Sequence, residues 1–345
     1  MFGAPLFSGV AFALAAGLMW GLVFIAPLFL PEYPSTLLSF GRYLAFGLIA
    51  MPLGWLDRDK LRALTRADWF EALKLALVGN IIYYLFLATA IQRAGAPLPT
   101  MIIGTLPVVI AIASNLRRAR PGARVEEPLA WRRLLPSLML IGAGIALVNH
   151  VELARLKADQ QAELTSYAFG AVLTVVAVAC WTWYPIRNAE WLRAHPDRSA
   201  RGWATAQGLM TLPLALVGYA TTWCVSALFG NHFDMPFGPH AAQFLLLMFA
   251  LGLLSSWLGT LCWNEASQRL PPALGGQLII FETLAALGYA FALRGHLPRV
   301  EALLGVALLS AGVVWAVRMQ STESSGLASS ETRSTQPTAN SSQRQ

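Results

Sequence analysis

Glu282 is the first residue whose setting suggests chemistry, because it lies inside the apolar run Leu278-Ile279-Ile280-Phe281-Glu282-Thr283-Leu284. A carboxylate taken out of water is costly, so such a group holds a proton or finds a cation. Either behaviour suits a transport pathway: Glu282 can carry a proton or pair with a substrate ammonium group. The structural alternative is a fixed partnership with Arg42 or a backbone group. Arg42 stands in the run after Ser35, and its guanidinium does not deprotonate. It can attract a substrate carboxylate, although a packing ion pair or snorkelling to the outer surface is the reading this position favours. Glu71 and Lys74 are three apart and read as a local ion pair.

Uncharged groups that could line a pathway are Trp20, Asn80, Tyr83, Tyr84, Trp181, Tyr184, Asn264 and Gln277. Aromatic walls with a few polar tips suit amphipathic metabolites, and the same residues also serve as ordinary packing. Catalysis finds no support. The five histidines, at 150, 195, 232, 240 and 296, sit at segment ends, and no nucleophile is placed with a base. His232, Asp234 and His240 share one loop, but no metal is expected there. The three cysteines, Cys180, Cys224 and Cys262, fall in separate apolar runs without ligand spacing. No phosphate-cradling glycine loop is present, so neither a cofactor nor a nucleotide-driven pump is expected.

The elements that must position these groups follow from composition. Of 345 residues, 56% are hydrophobic and 12% charged, with a mean hydropathy of +0.54. That balance excludes an ordinary soluble domain. The net charge of +7 comes mainly from arginines in short segments between apolar runs, a topological pattern rather than a nucleic-acid surface. A hydrocarbon core needs about 20 helical residues. Segments of that kind fall near 7–30, 35–56, 69–92, 97–116, 132–150, 165–187, 202–223, 241–264, 272–293 and 300–318. The first is too long for a secretory signal and lacks a basic leader. The Ser- and Thr-rich residues 319–345 read as a disordered tail.

Orientation follows the basic residues. With the amino terminus inside, the inner loops take Arg58, Lys60, Arg62, Arg117, Arg118, Arg187, Arg193 and Arg201 among others, leaving Arg93, Arg155, Lys157, Arg294 and Arg299 outside. Both termini are expected to be cytoplasmic.

An internal repeat is also visible. Gly9 and Trp20 recur as Gly170 and Trp181, Gly47-Leu48 as Gly208-Leu209, and Pro52-Leu53 as Pro213-Leu214, all at one constant spacing. Ala90 and Gln92-Arg93 recur as Ala266 and Gln268-Arg269 at a second, longer spacing, the difference fitting the longer loop around 224–240, and Gly144 pairs with Gly312. Five helices per unit is an odd number, so the second unit must enter the membrane with opposite polarity. Inverted repeats of this sort support alternating access.

The chain resembles the EamA-like exporters of the drug/metabolite transporter superfamily. The resemblance rests on Ala15-Ala16-Gly17-Leu18-Met19-Trp20-Gly21, Arg42, Ala90-Ile91-Gln92-Arg93 leading to Pro107-Val108, Glu282 and the region of Gly312. Where such proteins often carry Glu-Pro and Gly-Glu, this chain has Glu282-Thr283 and Asn115-Leu116. The resemblance implies a central cavity and export of amino acids or related metabolites, by proton exchange or facilitated movement.

The expectation is therefore an all-α polytopic membrane protein of ten transmembrane helices, two inverted five-helix repeats around a central cavity. Residues 1–150 form the first repeat, 151–164 a periplasmic linker, 165–318 the second repeat and 319–345 the cytoplasmic tail. It is expected in a bacterial inner membrane, with a small-molecule substrate, protons and lipid as partners, and no nucleic acid. A cation-drug antiporter is the rival within transporters, disfavoured because no acid lies between Phe7 and Leu30. A membrane enzyme is the rival from another class. Monomer and homodimer both stay open.

Overall fold

The computed structural model describes residues 4–107, 135–144, 164–228, 233–270 and 278–294, with short stretches at 109–110, 112–113, 146–147, 150, 274–275, 300–301, 303–312 and 315. Among the described residues every regular element is a helix. In chain order these are α1 (Ala4–Phe29), α2 (Ser35–Leu56), α3 (Arg58–Arg62), α4 (Arg66–Ala94), α5 (Pro97–Ile103) and α6 (Leu135–Gly144). They continue as α7 (Leu164–Ala194), α8 (Ala200–Leu228), α9 (Ala241–Arg269), α10 (Ile280–Arg294) and α11 (Leu303–Gly312).

Among the described residues six helices, α1, α2, α4, α7, α8 and α9, are long and apolar enough to cross a membrane, while α6, α10 and α11 are shorter apolar helices. Ten full-length spans are thus not what the described residues display. The expected run 97–116 is interrupted, because α5 stops at Ile103 and Gly104-Thr105 form a turn. Pro107 has no N–H to bond back toward residue 103, which accounts for the interruption there. The expected run 272–293 is broken as well: Ile279 lies in a turn and α10 begins at Ile280. Glu282 therefore occupies a first turn rather than a helix centre. Asn115-Leu116, His232, His296, the linker 151–163, the tail 319–345 and parts of the runs ending at 116, 150 and 318 lie outside the described residues.

Two boundaries move outward for identifiable reasons. Thr65 and Asp68 form a capping box, in which Thr65 Oγ1 accepts from the Asp68 N–H at 3.2 Å and Asp68 Oδ2 accepts from the Thr65 N–H at 2.8 Å. It starts α4 at Arg66 instead of 69. At the other side, α7 runs to Ala194, so Arg187 and Arg193 are helical residues rather than loop residues.

The surface is apolar where a bilayer would touch it. Leu48, Met51, Val172, Val175, Leu246 and Phe249 are exposed, whereas Arg42, Asn80, Gln207 and Glu282 are buried. Soluble proteins show the reverse order.

The most extensive helix contact among the described residues is that of α2 with α8. A Cβ on Gly208 would lie 2.7 Å from Ala50 Cβ, and one on Gly47 would meet Leu212, so these glycines let the two backbones approach closely. Around this pair α1 packs on α9 and α10, and α7 packs on α4 and α5. α2 also touches α9, as α8 touches α4. Within α4 and α9 the helix widens into π-helical stretches, Ala76–Ile82 and Leu251–Leu258. Such widenings re-aim side chains and recur at functional sites.

Candidate functional site

The two π-helical stretches, together with α1, α2, α7 and α10, surround a small cavity that is lined by Trp20, Arg42, Asn80, Trp181, Ser256 and Glu282, among others. It is tight, with room for water but not for a metabolite. Each wall is positioned by its own helix. Arg42 is set by α2, where Gly41 and Gly47 allow α9 and α8 close on either side. Trp20 comes from α1, Asn80 from the widened part of α4, Ser256 from that of α9, Trp181 from α7 and Glu282 from the first turn of α10.

Arg42 is 5% exposed and does not reach the outer surface. The snorkelling expectation fails here because its Nε donates to Ser256 Oγ at 3.0 Å and its guanidinium lies 4.4 Å from the Tyr84 ring centroid and 4.9 Å from that of Tyr43. Those contacts hold the charge inward. Its Nη1 is buried without a hydrogen-bond partner. Glu282 is 1% exposed; its Oε2 accepts from Trp181 Nε1 at 3.2 Å, while Oε1 is buried without a partner. One cavity thus holds a guanidinium and a carboxyl group, each with an unused, desolvated atom. Buried polar atoms are ordinarily satisfied, so these two need an explanation.

The remaining wall is aromatic. Tyr83 stacks on Trp181 with centroids 4.5 Å apart, Trp181 stacks on Tyr184 at 5.0 Å, and Trp20 meets Trp181 edge-on at 5.0 Å. The Tyr83 hydroxyl is a third buried group without a partner. Asn80 donates to Thr211 Oγ1 at 3.1 Å.

Trp20, Arg42, Asn80, Tyr83, Trp181 and Glu282 are therefore brought together. Tyr84 lies beneath Arg42, its hydroxyl 3.4 Å from the Val23 carbonyl. Tyr184 and Asn264 have other occupations. Tyr184 donates to Gln207 Oε1 at 2.8 Å, Gln207 and Trp203 both donate to Asn188 Oδ1, and Asn188 donates to Asn264 Oδ1 at 2.8 Å. This buried polar network runs from behind the aromatic wall toward the end of the bundle where α7 meets α8. Gln277 lies outside the described residues. Sequence reasoning missed Tyr43, Ser255, Ser256 and Thr260, which also line the cavity. One signal could have found two of them: Gly79-Asn80 and Ser255-Ser256 are separated by the same interval as Ala90 and Ala266.

Charge pairs mark one end of the bundle. Arg187 Nε lies 2.5 Å from Glu71 Oε1, Lys74 pairs with the same carboxylate, and Arg187 reaches Glu190 at 3.4 Å. Arg201 Nε lies 2.6 Å from Asp57 Oδ2, a charge contact without hydrogen-bond alignment, and Lys60 reaches Asp57 Oδ1 at 2.9 Å. Asp68 accepts from Trp191 Nε1 at 3.0 Å, with His195 at 3.9 Å. Glu71 and Lys74 are a local pair as expected, but Arg187 from α7 joins them. At the opposite end Tyr33 Oη donates to the Phe237 carbonyl at 2.9 Å and accepts from the His240 N–H at 2.8 Å, and His240 Nε2 lies 3.6 Å from Glu32 Oε1. Asp234 and His240 belong to no metal-binding group among the described residues.

Comparison with known proteins gives three findings. The sequence profile described as the EamA-like transporter family matches residues 7–124. The inner membrane protein YtfF of Escherichia coli (strain K12) is 52% identical over 313 residues, covering 90% of this chain and 95% of that protein. A solved chain described only as "Crystal structure of protein" superposes with a TM-score of 0.64 at 17% identity, covering 90% of this chain and 97% of that one, a likeness of fold alone.

Proposed function

This chain belongs to the EamA-like transporter family, and from that premise we propose that it exports small amphipathic metabolites, amino acids or related compounds, by proton-linked alternating access. It is a multi-pass membrane transporter of the drug/metabolite type. The observation that carries the substrate reading is the pair of unused buried atoms, Arg42 Nη1 and Glu282 Oε1, in one aromatic-walled cavity. A carboxylate can satisfy the first and an ammonium group the second. The same Arg42 disfavours a purely cationic drug, which would meet a fixed positive charge.

Alternating access draws support from features repeated at the sequence spacings. Gly47 and Gly208 both sit in the α2–α8 contact, and Gly9 and Gly170 sit against the ends of α9 and α4 respectively. The π-helical stretches of α4 and α9, and the helix breaks at Gly104 and Ile279, also fall one spacing apart, within a residue. Two such units, inverted relative to each other, would exchange roles as the cavity opens to either side. Helices broken beside the binding site are a recurring device of such transporters. The end carrying Asp57, Arg187 and Arg201 is read as cytoplasmic by its basic residues, and both termini are assigned to that side on the same ground. Glu282 is the proton site, since a buried carboxyl can alternate between its proton and a substrate cation.

Radiolabelled efflux from proteoliposomes tests this reading. Amino acids, purines and quaternary amines are compared with and without a pH gradient. Gradient-driven movement of zwitterions alone is the expected result; movement of quaternary amines alone would transfer the chain to the drug antiporters.

A further inference from the structure

The two ends of the bundle close with different chemistry. At the basic end three buried acids, Asp57, Asp68 and Glu71, come from the 1–150 unit. Their partners Arg201, Trp191 with His195, and Arg187 come from the 165–318 unit. Each contact therefore crosses from one unit to the other, with the negative side on the first and the donor side on the second. Behind this seam the Asn188, Gln207 and Asn264 network leads toward the cavity, so the route from seam to cavity is polar.

The opposite end repeats these positions without the charges. At the two repeat spacings, Asp57 and Arg201 correspond to Gly218 and Phe40, and Phe40 packs directly on Gly218. Asp68 and Trp191 correspond to Phe244 and Leu30, both buried, and Phe244 stacks on Tyr33 with centroids 5.2 Å apart. Glu71 and Arg187 correspond to Leu247 and Ala26. Inversion of the units would place each ionic contact and its apolar counterpart at opposite ends of the pathway.

We infer that the Asp57–Arg201 and Glu71–Arg187 pairs, with Asp68 and Trp191, form an ionic cytoplasmic gate, and that the Phe40–Gly218 and Tyr33–Phe244 contacts form an apolar outer gate. This rests on the alternating-access reading above. The two closures respond to different forces. Separating the inner pairs returns charges to water, where they are well solvated, and salt weakens the pairs that oppose it. Separating the outer contacts exposes aromatic surface, which water disfavours and salt does not assist. The half-exposed arginines Arg187 and Arg201 give salt access to the seam. The gate residues lie outside the cavity, so they set access to the site rather than affinity for a ligand.

The test reads access to the cavity and needs no known substrate. In the full-length chain Cys180, Cys224 and Cys262 are changed to Ser, and Thr260→Cys places a reporter on the cavity wall. A membrane-impermeant maleimide is applied to inverted and to right-side-out vesicles. Arg187→Ala with Arg201→Ala should raise labelling from the cytoplasmic side about tenfold, the effect of two part-exposed pairs, and leave labelling from outside unchanged or lower. The double exchange Asp57→Arg with Arg201→Asp should restore slow cytoplasmic labelling. Phe40→Ala should raise labelling from outside only. In the protein with its gate residues intact, raising salt should speed cytoplasmic labelling and not outer labelling. Unchanged or symmetric labelling in the arginine variants, or an absence of salt dependence where those variants do not fold, overturns the gate. Faster labelling from the outer side alone overturns it too, since the seam would then not be cytoplasmic. Failure of every substrate in the efflux panel, with the labelling pattern as expected, would strike the substrate reading and leave the gate standing.

Discussion

Changing Glu282→Gln separates the chemical role of this side chain from its packing role, because the amide keeps the shape and can still accept from Trp181 Nε1. The present bond is 3.2 Å long. Exchanging a charge-assisted hydrogen bond for a neutral one costs about 1 kcal/mol. Removing a charge at membrane depth returns about 3 kcal/mol on the milder insertion scales. If Glu282 is ionised in the resting protein, the variant gains roughly 2 kcal/mol of stability. If it already holds a proton, stability is nearly unchanged. Either way the melting temperature in detergent does not fall. Transport behaves differently. A gradient of one pH unit supplies about 1.4 kcal/mol per proton, enough to concentrate an exchanged substrate about tenfold. The variant has no carboxyl to carry the proton, so its final substrate ratio across the vesicle should be about one, while exchange of labelled for unlabelled substrate continues. The assay is accumulation in proteoliposomes with an imposed pH gradient, beside counterflow without one. Tenfold accumulation by the variant would refute a proton role for Glu282, and a loss of more than about 2 kcal/mol would make it a structural partner instead.

Gly208→Leu should destabilise the bundle by about 1–3 kcal/mol, because its side chain would enter the space held by Ala50 and Phe46; thermal unfolding in detergent reads the loss. Asn188→Leu leaves Trp203 Nε1 and Gln207 Nε2 without their acceptor and Asn264 without its donor, a loss of about 3 kcal/mol that the same measurement detects. An unaltered melting temperature in either variant would contradict the packing or the network described above.

Membership of a helical membrane class was legible from composition and run length alone, since a hydrocarbon solvent imposes apolar runs of a fixed length. Glu282 and Arg42 were legible for a related reason: a charge in such a run is expensive and must have a use. The two recurrent spacings pointed to a repeat from sequence alone, and Trp20 and Trp181, one spacing apart, both face the cavity. What sequence could not decide was where a side chain points once helices meet. Arg42 read as a snorkelling or packing charge because nothing in its own helix shows Ser256 and Tyr84 drawing it inward. Tyr184 and Asn264 looked like pathway residues, yet partners far along the chain, Gln207 and Asn188, absorb their polar atoms. Ser256 was passed over because a serine in a membrane helix is ordinary until a guanidinium rests on it. The ion pairs that join Asp57 to Arg201 and Glu71 to Arg187 likewise depend on contacts between remote segments. Solvent selects the residue types along a single helix, and so composition reveals the class. The site is made by several helices at once, and only their packing assigns each polar atom a partner or leaves it unused.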